Sequence, residues 1–174
     1  IELIYNDVRK FGFIKVIEFN QLNSNQHLSK LGPEPFSKKF NYNYLLSVVR
    51  KSKKNVKNFM MDQKYISGLG NIYANEILFY SSINPSKLAN KLSNGQVAKI
   101  ILNTRKVLKS SIQLGGSSIR DFNTVSGKKG KYQDRFMVYD RVNKLCRKKN
   151  CKGRVKKIYI SNRSTFFCDK CQNN

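Results

Sequence analysis

Four cysteines are the residues best suited to chemistry. They are Cys146, Cys151, Cys168 and Cys171, all within the last 29 residues, spaced C-x4-C, then 16 residues, then C-x2-C. Two close pairs separated by a short hairpin suit a tetrahedral metal ion. Each pair rides a turn, so that thiolates converge at about 2.3 Å from the ion. Four sulfurs close the shell, so the metal, read as a single Zn2+, is structural rather than catalytic. Two disulfides are the other use of four cysteines, and an intracellular chain disfavours them. Between the pairs, Arg154–Ile160 and Ser164–Phe167 read as two short strands joined near Asn162-Arg163. A ribbon this small lacks a core, and metal binding supplies on the order of 10 kcal/mol to such folds. From Arg141 to Lys170 there are 11 basic residues and one acid, Asp169. Arg163, at the hairpin tip, can fork onto a phosphate or simply be solvated; the ribbon alone leaves both open.

The second stretch is Ile66-Ser67-Gly68-Leu69-Gly70-Asn71-Ile72-Tyr73. Two glycines two apart suit a tight turn. Asn71 stands where a helix N-cap belongs, ahead of an apolar-periodic run with Ile72, Ile77 and Tyr80. The first turn of such a helix carries unpaired N–H groups and partial positive charge, a ready site for phosphate. The same residues also make an ordinary turn before a core helix. Upstream, the run from Arg50 to Lys57 is basic, and Lys53, Lys54 and Lys57 are candidate phosphate contacts or a solvated face. His27, the only histidine, has no Ser, Cys or Asp constellation nearby, so a histidine triad has no support.

The elements that must position these residues sit in a chain of 174 residues, 40% hydrophobic, with 34 Lys and Arg against 10 acids and a formal charge of +24. That is enough apolar content for a core, and enough charge to want a polyanion, nucleic acid first. No apolar run approaches the ~20 residues of a membrane span, and no signal peptide opens the chain. A soluble intracellular monomer of the cytoplasm or nucleoid, with no membrane partner, is expected.

Ile1–Tyr5 and Phe11–Glu18 read as paired strands around an Asn6-Asp7 turn, with Arg9 at the tip. A boundary falls near Leu31–Phe36, where two prolines stiffen the backbone. Helices are expected from Asn41 to Val49, around Phe59–Asp62, after Asn71 until Pro85, and from Ser93 to Gly115-Gly116. Residues 117–132 form a long loop rich in glycine and lysine, expected to be functional and mobile.

These motifs together resemble the C-terminal part of the formamidopyrimidine-DNA glycosylase and endonuclease VIII family of base-excision repair enzymes. The carrying stretches are Tyr5–Gly12, Leu31-Gly32-Pro33-Glu34-Pro35, Asp62-Gln63 through Glu76, Gly115–Phe122, and Asn162–Cys168 with Cys171-Gln172. Arg120-Asp121-Phe122, the glycine loop and Tyr132-Gln133 are more similar to the formamidopyrimidine branch. The resemblance implies an α+β fold: a remnant β-hairpin of an N-terminal β-sandwich (1–30), a hinge (31–36), a mainly helical helix–two-turns–helix domain (37–134) with a lesion loop at 117–132, and a C-terminal β-hairpin zinc ribbon (135–174). It implies that Gly70 and Asn71, with Lys57, hold DNA phosphates; that Arg9 faces the orphaned base and Phe11 wedges beside it; and that Arg163 contacts phosphates and serves the second elimination step. The implied partner is double-stranded DNA bearing an oxidised purine or an abasic site. The implied activities are glycosylase and abasic-site lyase.

Two departures stand out. The family's catalytic proline amine and adjacent glutamate open its chain, whereas this sequence opens Ile1-Glu2 and reads as a fragment without the nucleophile. The first cysteine pair is C-x4-C where C-x2-C is usual. A non-catalytic zinc-ribbon nucleic-acid binder is the alternative.

Overall fold

The computed structural model describes residues 2–5, 7, 10–22, 24–117 and 130–172. It divides the chain into two compact units, residues 1–30 and 31–174.

In the first unit the Asp7 turn forms: its side-chain oxygen accepts the Gly12 N–H at 2.6 Å and its carbonyl accepts the Lys10 N–H at 3.1 Å. The flanking segments, expected to pair as strands, carry no ladder among the described residues. The reason is burial. Leu3 is 82% exposed, Phe11 85% and Val16 94%. A lone two-stranded hairpin is marginal in water, and alternating apolar side chains hold strands only when another layer covers them.

Among its described residues the second unit holds four α-helices: α1 (Tyr42–Arg50), α2 (Val56–Met61), α3 (Asn71–Tyr80) and α4 (Asn94–Gln113). Side chains start three of them. The Asn41 oxygen accepts from Tyr44 N–H, and Asn55 accepts from Asn58 N–H. Ser93 and Gln96 cap each other's backbone in a reciprocal box at α4. The stripe facing the core from α4 is Val97, Ile100, Thr104, Val107 and Ser111, while Ile112 points to solvent. Gly115 and Gly116 end it, both at positive φ. In α3 the run from Ala74 to Phe79 is buried on every side, so this helix is the axle of the unit. Phe40, Leu45, Phe59, Ile66, Ile77, Leu78 and Ile100 form the main core around it.

Strands β1 (Val155–Ile160) and β2 (Arg163–Cys168) pair antiparallel, Val155 opposite Cys168 and Ile160 opposite Arg163. Ser161 and Asn162 join them, both with positive φ, as a two-residue hairpin with native twist requires. The ribbon is no separate lobe on a stalk. Phe79, from α3, packs with Val138, Val155, Phe166 and Cys168 in a second core. No helix among the described residues is long and apolar enough to cross a membrane.

Candidate nucleic-acid interface and metal centre

The hairpin brings the two cysteine pairs together. Cys146 and Cys151 precede β1; Cys168 ends β2 and Cys171 lies in the turn beyond. The first knuckle closes through Cys146 N–H on the Gly153 carbonyl at 2.9 Å and Cys151 N–H on the Lys148 carbonyl at 3.0 Å. Its longer x4 spacing is absorbed at Asn150, in the left-handed region at φ 63°. All four sulfurs lie within 4.8 Å of one another. Cys146 and Cys171 are 3.9 Å apart, and Cys151 and Cys168 3.6 Å. A tetrahedron with metal–sulfur bonds of 2.3 Å has edges of about 3.8 Å, whereas a disulfide needs about 2.05 Å. The four sulfurs thus have the spacing to hold one metal ion, Cys146 included. Burial pushes the Cys146 thiol up to about 11 and raises Cys171 as well. A cation at their centre is what would make them thiolates.

A polar seam joins this ribbon to the helices. Lys57, on α2, is fully buried, and its ammonium donates to the Thr165 hydroxyl at 2.6 Å and the Ser164 carbonyl at 3.2 Å. Desolvation, helped by the charge of Arg163, lowers it to about 8. The Asn71 side-chain amide donates to the same Ser164 carbonyl at 3.0 Å. Asn58 donates to the Ser161 hydroxyl at 2.7 Å. Lys57, Asn71 and Arg163 therefore meet where the start of α3 touches the start of β2. The helix leaves the N–H groups of Asn71, Ile72 and Tyr73 without intrahelical acceptors there. A helix N-terminus beside cationic and amide side chains is a candidate anion site.

Asn71 is not the N-cap. Gly70 takes that position in extended backbone, φ −112° and ψ −178°, so Asn71 is already helical and its side chain can reach β2 instead. Of the two glycines only Gly68 uses the left-handed region, at φ 80°. Gln63 staples that turn, accepting the Gly68 N–H at 2.7 Å and donating to the Leu69 carbonyl at 3.0 Å. Lys54 pairs with Asp62 at 2.6 Å and lies 5.8 Å over the Tyr65 ring. Lys53 and Arg163 are exposed. Phe11 belongs to the other unit, and Arg9 lies outside the described residues, as does most of the loop at 117–132. The base of that loop is described: Lys131 N–H meets the Leu114 carbonyl at 2.9 Å and Tyr132 N–H the Gly116 carbonyl at 3.0 Å. Gly130 is required there, because a Cβ would come to 2.6 Å from the Gly115 carbonyl oxygen.

Three buried polar residues escaped the sequence reading as positioning groups. Glu76 is fully buried and accepts three consecutive N–H groups, from Met137, Val138 and Tyr139, at 2.8, 3.0 and 2.9 Å. Burial raises its carboxyl above the usual range, while those N–H groups and Arg141 pull it back. The Asn75 oxygen accepts the Phe166 N–H at 2.7 Å. Gln172 accepts the Cys168 N–H and donates to the Ile83 carbonyl, each at 2.8 Å. The available signal for two of them was the adjacent polar pair Asn75-Glu76 between apolar neighbours on α3, where neither can face water.

Residues 31–123 match the family model described as the formamidopyrimidine-DNA glycosylase H2TH domain. The chain belongs to the formamidopyrimidine-DNA glycosylase family. Relatives include the formamidopyrimidine-DNA glycosylases of Roseobacter denitrificans, 39% identical over 98% of this chain and 60% of that protein, and of Idiomarina loihiensis, 40% identical over 96% and 61%. The Fpg of Lactococcus lactis, solved in complex with DNA containing an abasic site, is 34% identical with a TM-score of 0.87, covering 97% of this chain and 61% of its own. The MutM (Fpg) protein of Thermus thermophilus is 32% identical with a TM-score of 0.79, covering 84% and 55%. The chain thus spans about 60% of the length of such glycosylases. Its helical body and four-cysteine hairpin have the Fpg arrangement.

Proposed function

We propose that this chain is the duplex-gripping, metal-bearing part of a base-excision repair glycosylase with abasic-site lyase activity. The whole protein would remove oxidised purines, 8-oxoguanine and formamidopyrimidines, by flipping the base from the duplex and cleaving by β,δ-elimination. The observation that carries this reading is the meeting of Lys57, Asn71 and Arg163 at the first turn of α3, on a ribbon fixed by four sulfurs.

In this reading the ion is Zn2+ and its role is structural. All-sulfur donors and near-tetrahedral spacing support that choice over hard cations. Gly70 and Asn71 hold a phosphate, with Lys57 supplying charge behind them and Lys53 and Lys54 at the approach. Arg163 forks onto phosphates beside the lesion and assists the second elimination. Arg9 and Phe11 fill the step the lesion vacates, and residues 117–132 close over the flipped base. Residues 1–30 belong to the catalytic β-domain, 31–36 to the hinge, 37–134 to the helical domain and 135–174 to the zinc finger. The iminium with the sugar would be formed by the whole protein's catalytic amine.

The test is equilibrium binding of this chain to duplexes with an abasic site, 8-oxoguanine or no lesion, alongside single-stranded RNA, with borohydride trapping on the 8-oxoguanine duplex. The expected result is preference for the damaged duplexes and no trapped covalent product. Equal affinity for RNA would favour the non-catalytic ribbon binder, and a trapped product would overturn the assignment of the nucleophile.

A further inference from the structure

We propose a second nucleic-acid track at the opposite end of α3, one that takes a single strand while the phosphate cluster at Asn71 holds a duplex. Asn71 and Tyr80 open and close α3. At 1.5 Å per residue they stand about 14 Å apart along its axis. A ligand at one end leaves the other open.

A cavity of about 490 Å³ lies beside Tyr80, walled by α4 and residues 132–137. Its cations are Lys106, Arg135 and Arg147, against one acid, Asp134. Tyr80 is 36% exposed, and the Lys106 ammonium sits 5.6 Å from its ring centroid. Arg147 is fixed in place by donating to the Phe136 carbonyl at 2.7 Å and the Asp134 carbonyl at 3.2 Å. A second, more open hollow of about 420 Å³ borders the metal site, lined by Lys148, Lys149, Lys152 and Lys170 beside Cys151 and Cys171. Lys148 links the two. Its ammonium donates at 3.1 Å to the hydroxyl of Ser82, two residues beyond Tyr80. Lys148 and Lys149 belong to the C-x4-C knuckle between Cys146 and Cys151.

The chemistry points to a single strand. The cavity beside Tyr80 is concave and of small-ligand size, fitting a nucleotide, whereas a duplex presents a convex backbone. Cations set along a groove with an aromatic wall are what unpaired strands use: phosphates bind the lysines and arginines, and a base stacks on the ring.

The experiment uses the whole chain loaded with metal. A fluorescent eight-nucleotide single strand is titrated by anisotropy with and without saturating unlabelled abasic-site duplex. The expected result is that the strand still binds in the presence of duplex. Arg135→Glu with Lys149→Glu, both at exposed positions, should weaken strand binding at least tenfold and change duplex affinity less than twofold. Displacement of the strand by duplex, strand affinity indifferent to the double reversal, or equal displacement by polyglutamate of matched charge would each overturn the proposal. The duplex-competition arm needs no variant, so a folding failure cannot mask the answer. Because that arm reads strand binding directly, it also separates this proposal from failure of the primary duplex reading.

Discussion

The Lys57 ammonium donates to the Thr165 hydroxyl at 2.6 Å across 108 residues of sequence, from a side chain with no exposed surface. A charge buried this deeply survives only with partners, and both partners lie on β2. The bond therefore couples the second helix to the metal ribbon. It sets the register of Arg163, one residue before Ser164.

Lys57→Met tests this coupling through pH. The native ammonium titrates near 8, against about 10.4 in an unfolded chain. The native state gives up its proton first, so between those values the unfolded state binds more protons and stability rises with pH. Relative to Lys57→Met, the parent chain should gain stability on the order of 3 kcal/mol from pH 8 to 10.4, while its duplex affinity falls as the charge is lost. Urea midpoints of both proteins across that range check it. Parallel curves would show that the lysine titrates normally.

Glu76→Gln keeps the shape and removes one acceptor oxygen from three N–H donors. At least one buried N–H then loses its partner. The expected loss is about 2–4 kcal/mol in unfolding free energy, with metal stoichiometry unchanged. Thermal and denaturant melts of the metal-loaded chain measure this; an unchanged melt would mean that residues 137–139 are held by packing alone.

The two glycines of the α3 loop should separate stability from binding. Gly68 has positive φ and open space around it, so Gly68→Ala adds backbone strain alone, costing about 1–2 kcal/mol. Gly70 is extended and equally uncrowded, so Gly70→Ala should leave stability within about 0.5 kcal/mol. Its added methyl stands at the mouth of the helix N-terminus, and duplex affinity should fall several-fold. Melts and binding isotherms of the two variants would then show opposite patterns; the same pattern in both would refute the placement of the phosphate.

Much of the architecture was legible because it is local. Asn41 and Ser93 announce helix starts by chemistry acting within three residues, whereas the cap at Asn55, inside a basic run, went unread and α2 starts three residues earlier than expected. The cysteine spacing announces the ribbon, and positive-φ glycines mark the end of α4. What local pattern misses is contact between distant segments. Asn71 sits one residue inside the helix because Gly70 adopts the capping backbone, and the Asn71 side chain answers to Ser164, 93 residues on. Lys57 reads as one of a basic run, yet its neighbours Lys53 and Lys54 face outward or pair with Asp62 while it turns into the seam. The N-terminal strands fail for the converse reason. Apolar, strand-like runs at 1–5 and 11–18 are present in sequence, but strands need a covering layer, which the described residues do not supply.

The account rests on the metal ribbon holding Arg163 against the start of α3, and removing the metal tests that most directly. The chain is stripped with a chelator, and affinity for an abasic-site duplex is measured before stripping, after it, and after adding back one equivalent of Zn2+. The account predicts at least a tenfold loss on stripping and full recovery with zinc. A stripped chain that grips the damaged duplex as tightly as the loaded one would contradict it.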